Sequence, residues 1–326
     1  MIALGHIRID ELTAVHRVSL MGMVRGYADA NRHGLLVDPS FHGVFVQGER
    51  VAVASLTRTI GTPAVDACLA CGLLERDGPS LFSRFRCHYV EGFSVFTDPR
   101  DGPRDDEQYL DPLWEGPKFE RFVIRQRVAA GLDLGCGCGN YALLLSRFCD
   151  TVEAVDVNVR AIAVTQLNAA INGIDNLGVR HGTIADLQGA RQFGCIVSTV
   201  PCGFAHLVRG TNRLLAGDDQ LTAETLSGIA QRLSEQGWAH ALAALPREQP
   251  LEYVRRWLGD DRFEIFGMPG ALRLPDYVNV WLYIRRGPPR QVLLPRLSIT
   301  QPSINPVDHV PGEWLSELLL RLVDSA

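Results

Sequence analysis

The sequence predicts a doubly wound α/β protein with a mainly parallel sheet, and three observations carry that prediction. Apolar, strand-like runs recur at 131–135, 151–157, 177–181, 193–200, 237–245, 262–267 and 277–285. Segments of helical periodicity, such as Arg160 to Ile171 and Leu221 to Gln236, lie between most of them. Strands that alternate with helices build parallel pairs, because each parallel neighbour needs a long crossover. The last two runs are separated only by residues 267–276, too few for a helical crossover, so they are expected as an antiparallel pair at the sheet edge.

The 326 residues suffice for a large domain and a smaller one. With 46% hydrophobic and 21% charged residues the chain can bury a core and is not a disordered polymer. Basic residues number 32 and acidic ones 37, a net charge of −5. A duplex binder is expected to carry a basic surplus, since phosphate neutralisation supplies most of its affinity. The balance therefore sets nucleic acid aside as a partner. The eight cysteines are too scattered for a disulfide framework. No apolar run of membrane-spanning length is present, and Arg8, Asp10 and Glu11 interrupt the stretch a leader would need. The expectation is a soluble, cytoplasmic protein with no membrane contact.

Residues 1–97 read as a smaller α+β domain. Leu12, Val15, Val18, Met21 and Val24 recur at helical spacing, with Gly34 as a stop. Thr62 and Pro63 open a second helix that runs to Leu74. After the Asp77-Gly78 turn, Ser83 to Phe96 reads as two short strands around Val90-Glu91-Gly92. Helices followed by a small hairpin resemble a winged helix. Residues 1–100 hold ten arginines, no lysine and ten acids, and the stretch Pro63 to Leu74 carries no basic residue. The unit is thus expected to cap the other domain rather than to hold DNA. Residues 98–117, rich in Pro, Gly and charge, read as a linker or lid, and 118–286 as the main α/β domain. The tail, 287–326, is Pro-rich and then amphipathic from Glu313 to Val323. Such a helix needs a partner surface, on its own chain or on a second copy in a homodimer.

The most informative stretch is Gly131-Leu132-Asp133-Leu134-Gly135-Cys136-Gly137-Cys138-Gly139-Asn140-Tyr141. An apolar strand runs into three glycines at alternate positions and then into a helix. Glycines there permit positive φ and close approach of a ligand to the backbone. The dinucleotide fingerprint spaces its glycines G-x-G-x-x-G, whereas here the spacing is G-x-G-x-G and Asn140 stands at the third fingerprint position. Asp133, just before the loop, would repel a pyrophosphate and suit a cationic amine. Asp156 ends the next apolar run, where a carboxylate can accept both hydrogen bonds of a ribose diol. Asn158 is a further candidate for contact with the ligand, against the plainer reading in which it caps the helix that follows.

With Asn172-Gly173 downstream, these stretches resemble class I S-adenosylmethionine-dependent methyltransferases, in particular the small-domain branch with the release-factor glutamine and ribosomal-RNA guanine methyltransferases. The resemblance implies a Rossmann-like, seven-stranded sheet with its last strand antiparallel, and S-adenosylmethionine as cofactor. It implies that Gly135, Gly137 and Gly139 line the methionine moiety, that Asp133 lies near its amino group, and that Asp156 binds the ribose. The family's adenine-contacting acid aligns with Thr183; Asp186, three residues on, is the substitute, and backbone groups alone are the other reading. At the fourth strand relatives carry F-D-x-I-V-x-N-P-P and an aromatic. This chain reads Phe193-Gly194-Cys195-Ile196-Val197-Ser198-Thr199-Val200-Pro201-Cys202, with Thr199 for the Asn and Cys202 for the aromatic.

Thr199, Cys202 and His206 are the candidate catalytic residues, at the strand end that faces the ligand crevice. His206 would be a general base for a hydroxyl or thiol acceptor, against the plainer reading of a surface loop histidine. Tyr109, Trp114 and Tyr141 could cover the sulfonium or pack the core. No metal is expected: Cys68 and Cys71 lack a second ligand pair, and a metal at Cys136 and Cys138 would compete with the cofactor. The altered N-P-P stretch and the acidic charge lead to methyl transfer onto a small-molecule acceptor. The alternatives are an RNA or protein methyltransferase of the release-factor or ribosomal type, a cyclase that uses another part of the cofactor, and a non-catalytic cofactor-binding protein.

Overall fold

The computed structural model describes residues 5–102, 110, 123–187, 191–200, 219–259, 262–273, 276–294 and 312–325. The first helices are α1 (Ala14–Arg32), a turn α2 (Pro39–Phe41) continued by a π-helix (His42–Gln47), α3 (Val53–Ile60) and α4 (Thr62–Cys71). Thr13 accepts the His16 N–H and starts α1, while Gly72, at φ +84°, stops α4. Strand β1 (Val51–Ala52) precedes α3, and β2 (Glu75–Asp77) and β3 (Ser80–Phe82) follow α4, forming a sheet in the order β1-β3-β2. The hairpin that joins β1 is therefore the one around Asp77-Gly78. The pair expected within 83–96 forms a separate hairpin, β4 (Arg86–Val90) and β5 (Phe93–Thr97). Glu91 and Gly92 both have positive φ at its tip, the twist that two-residue hairpin turns require.

The large sheet comprises β6 (Val128–Leu134), β7 (Cys149–Asp156), β8 (Leu177–His181), β9 (Phe193–Thr199), β10 (Leu233–Pro246), β11 (Phe263–Arg273), β12 (Tyr277–Arg286) and β13 (Arg290–Leu293). Their order is β13-β11-β12-β10-β9-β6-β7-β8. All neighbours are parallel except those of β12, which runs antiparallel to both β10 and β11. This is the mixed, mostly parallel α/β sheet that the sequence predicts, with two corrections. It has eight strands rather than seven, and β11 is not at the edge because β13 pairs beyond it. Two prolines at 288 and 289 make the start of β13 read as tail, and Pro cannot donate to a ladder.

Helices α5 (Asn140–Leu145), α6 (Val159–Asn172), α7 (Asp219–Arg232), α8 (Pro250–Leu258) and α9 (Gly312–Ser325) complete the chain. The helix expected over 221–236 ends at Arg232, because Leu233 already pairs with Phe193 in the sheet. Leu226, Ile229, Val254 and Leu258 of α7 and α8 bury one face of the sheet. Tyr141, Leu144 and Leu145 of α5 pack on the other. On that second face, Leu319 and Val323 of α9 bury against Trp238, Phe266 and Tyr283. Among the described side chains of the tail helix, Leu319 and Val323 thus find their partner surface on their own chain. Ala161, Val164, Leu167 and Ile171 of α6 share one core with Leu20, Val24, Phe45 and Phe96 of the N-terminal elements. Among the described residues no helix is long and apolar enough to cross a membrane.

Candidate functional site

The site forms where β6 and β7 end. Asp133, the penultimate residue of β6, is fully buried, and its Oδ2 accepts the Ala142 N–H of α5 at 2.8 Å. Its Oδ1 has no hydrogen-bond partner. Burial pushes its pKa up to about 8; the Ala142 N–H opposes that shift and the nearby Asp156 charge adds to it. An unpartnered carboxylate oxygen in the interior is costly unless a donor meets it.

Asp156 ends β7, half-buried, with both oxygens on backbone donors: Oδ2 accepts from Gly137 N and Oδ1 from Asn158 N, each at 2.8 Å. Burial raises its pKa, and those N–H groups counter the rise. The carboxylate therefore joins the tip of β7 to the glycine loop. Asn158 caps α6, its side chain accepting the Arg160 N–H at 2.9 Å.

The three glycines divide into two kinds. Gly135 and Gly137 have φ of +76° and +53°, and a Cβ on either would meet nothing within 4 Å. Bare backbone there faces open space. A Cβ on Gly139, at φ +84°, would lie 2.8 Å from Thr165 Cγ2. Gly139 is thus required by the close approach of α6, whereas Gly135 and Gly137 keep the crevice free.

Two α6 side chains hold the loop from behind. Thr165 Oγ1 donates to Gly137 O at 2.9 Å, and Asn168 Nδ2 donates to Cys138 O at 2.8 Å. Neither stands out in the sequence, because a polar residue on a helix reads as a solvent-facing position. Thr183 and Asp186 are exposed and bound to each other: Asp186 Oδ2 accepts from Thr183 N at 2.7 Å and from Thr183 Oγ1 at 2.8 Å. Those bonds lower the Asp186 pKa and close a capping box on the turn after β8. Thr199 is exposed at the end of β9, its Oγ1 3.5 Å from the Tyr141 hydroxyl. Cys202, His206, Tyr109 and Trp114 lie outside the described residues. Cys136 is buried beside the loop, and burial raises its thiol pKa well above the ordinary value.

The methyltransferase small domain family model matches residues 121–211, the segment that contains β6 to β9 and the glycine loop. Residues 121–211 are therefore similar to the methyltransferase small domain. A tRNA/tmRNA (uracil-C(5))-methyltransferase from a Nitratiruptor species is 46% identical over 67 residues, 19% of this chain and 18% of that protein. A ribosomal protein L11 methyltransferase from Thermotoga neapolitana is 29% identical over 149 residues, 41% of this chain and 52% of that protein. Among solved structures, Trm5b from Pyrococcus abyssi superposes with a TM-score of 0.47 at 16% identity, covering 66% of this chain and 62% of that one. The chain spans 52% or less of the length of these curated relatives. Those relatives are named for tRNA and for a ribosomal protein. That overturns the expectation of a small-molecule acceptor with nucleic acid set aside. The acidic net charge misled because it averages over the whole chain and says nothing of a local surface.

The residues of this segment fit S-adenosylmethionine on two counts. The orphaned Asp133 oxygen suits the ammonium of an amino acid, and the open backbone of Gly135 and Gly137 leaves room that any larger residue would fill.

Proposed function

We propose that this chain transfers the methyl group of S-adenosylmethionine to a macromolecular acceptor of the translation apparatus, RNA or protein. The observation that carries the reading is Asp133. A fully buried carboxylate with one oxygen on a helix N–H and the other without a partner is a half-built ammonium site, and the glycine backbone opens beside it.

When bound, the cofactor supplies an electrophilic methyl on a sulfonium. Everything else falls to this chain's residues. Asp133 Oδ1 accepts a hydrogen bond from the amino group, and the charge drawn to it ionises a carboxyl that burial otherwise keeps protonated. Asp156, already fixed by the Gly137 and Asn158 N–H groups, presents its remaining lone pairs to the ribose hydroxyls. Asn158 sets the direction of α6 as its cap, and Thr183 and Asp186 shape the turn at the adenine end. Thr199, with Tyr141 beside it, lies at the strand end where the acceptor approaches, so both orient the acceptor atom rather than take its proton. The N-terminal elements, packed on α6, are assigned to covering the acceptor.

The test uses S-adenosylmethionine labelled in the methyl group or in the carboxyl group, incubated with ribosomal protein and bulk tRNA. Methyl label alone in macromolecules supports the reading, and nuclease or protease sensitivity says which acceptor it is. Carboxyl label in a small product points to the cyclase, and tight binding without any transfer points to a cofactor sensor; either overturns the proposal.

A further inference from the structure

Helix α6 touches both the glycine loop and the N-terminal hairpin, and one side chain makes both contacts. Asn168 Oδ1 accepts the Phe96 N–H at 2.9 Å, and its Nδ2 donates to Phe96 O at 3.0 Å and to Cys138 O at 2.8 Å. One turn along, Asn172 repeats the reciprocal pattern on Ser94, accepting its N–H at 3.1 Å and donating to its O at 2.8 Å. The spacing explains the match. Four helical residues advance about 6 Å, and two strand residues about 6.8 Å. Two carboxamides at i and i+4 thus meet alternate residues of β5, on the edge that β4 leaves unpaired, and act as a surrogate neighbouring strand.

Only Asn168 continues to the loop. With Thr165 on Gly137 O and Asn168 on Cys138 O, two successive loop carbonyls point at α6. The peptide that carries Cys138 O is tied at both ends, because its N–H, that of Gly139, closes the loop turn on Cys136 O at 2.7 Å.

We propose that Asn168 is a positioning residue that links the docking of the β4–β5 hairpin to the binding-competent shape of the cofactor loop. The inference rests on the methyltransferase reading. A rigid loop binds its ligand with less ordering cost, and linkage requires the effect to be mutual: what the hairpin does for the loop, ligand on the loop does for the hairpin. Asn172 serves as the internal control, since among its hydrogen bonds are those to the same hairpin and to Asn168 O, and none to the loop.

The experiment is hydrogen exchange on the full chain with and without S-adenosylhomocysteine, joined to calorimetry on Asn168→Ala and Asn172→Ala. In the unaltered protein the ligand is expected to slow exchange at the Ser94 and Phe96 amides, although neither touches it. Asn168→Ala should weaken the ligand about tenfold, within the usual range of coupling between sites, and abolish the ligand effect at Ser94. Asn172→Ala should leave affinity within about twofold and keep the ligand effect at Phe96. Equal loss of affinity in both variants, or no loss in either, overturns the proposal. So does a ligand that binds the unaltered protein without slowing Ser94 and Phe96, a result that needs no variant to fold. Failure of S-adenosylhomocysteine to bind the unaltered protein at all refutes the methyltransferase reading itself, and this inference with it.

Discussion

The guanidinium of Arg160 and the carboxylate of Asp98 meet in two parallel hydrogen bonds, Nη1 to Oδ2 and Nη2 to Oδ1, each 2.6 Å. Both side chains are buried. Arg160 Nε also donates to Gly5 O at 2.6 Å, and Asp98 Oδ2 accepts the Leu110 N–H at 2.8 Å. Arg160 belongs to the first turn of α6, and Asp98 directly follows β5. The pair therefore gathers four separate stretches of chain at the start of the helix that Asn158 caps, next to Asp156.

A buried bidentate pair whose other hydrogen bonds are also made is costly to break on one side only, since the surviving charge stays in the interior. Arg160→Met is expected to cost about 3–5 kcal/mol in urea unfolding, and Asp98→Leu a comparable amount. The double variant should recover much of that loss, because no unpaired charge remains. Additive losses in the double variant would show that the ions act separately.

Asp133 makes stability depend on pH in a direction unusual for a carboxylate. Its pKa is about 8 in the fold, raised by burial from 3.8. Between those values the native chain holds a proton that the unfolded chain has released, so this group's contribution is full at acid pH and is lost as pH rises towards 8 and beyond. Asp133→Asn should remove that decline, giving a flatter stability curve between pH 5 and pH 8.5 by thermal unfolding. Ligand binding should also release a proton near neutral pH, since the ammonium favours the ionised carboxylate. Calorimetry in buffers of different ionisation enthalpy reads that release, and the asparagine variant should lack it.

The parts of this architecture that are local in sequence are the parts that can be read from it. β8 falls at 177–181 as its apolar run predicts, and Asp133, Gly135, Gly137 and Asp156 declare themselves because strand, turn and helix follow one another without a gap. The supports do not. Asn168 and Phe96 are 72 positions apart, and Arg160 and Asp98 are 62. Thr165, Asn168 and Asn172 form a polar stripe on α6, which amphipathic reasoning assigns to water. Here the stripe faces the loop and the hairpin, because backbone groups on those segments need partners as much as side chains do. β13 was hidden for the reverse reason, a four-residue strand behind two prolines.

His240 of β10 and Tyr283 of β12 are register partners, fully buried, with their rings edge to face. Neither imidazole nitrogen nor the phenol oxygen has a hydrogen-bond partner. Burial holds the His240 pKa down at about 3, so the ring stays neutral in the fold. Its contribution is present above the ordinary histidine pKa and is lost as pH falls from about 6.5 towards 3. Tyr283→Phe removes an unsatisfied hydroxyl without opening a cavity and is expected to raise stability by about 1 kcal/mol. His240→Leu should remove the acid-side loss. A drop in melting temperature for Tyr283→Phe would mean that a buried water satisfies the hydroxyl.

The glycine loop offers a test that separates ligand access from folding. Alanine at Gly137 puts its methyl group into open space, so the cost to the fold is that of a left-handed backbone, about 1–2 kcal/mol. The same methyl group intrudes where ligand is expected, so S-adenosylhomocysteine binding should fall by far more than the stability does. Alanine at Gly139 pays the same backbone penalty and also drives a methyl group against Thr165, which holds Gly137 O. Gly139→Ala should therefore be the less stable variant in thermal unfolding, and Thr165→Ser, which removes the clashing methyl while keeping the hydroxyl, should partly restore it. If Gly137→Ala binds ligand normally, the open side of the loop is not where the cofactor lies.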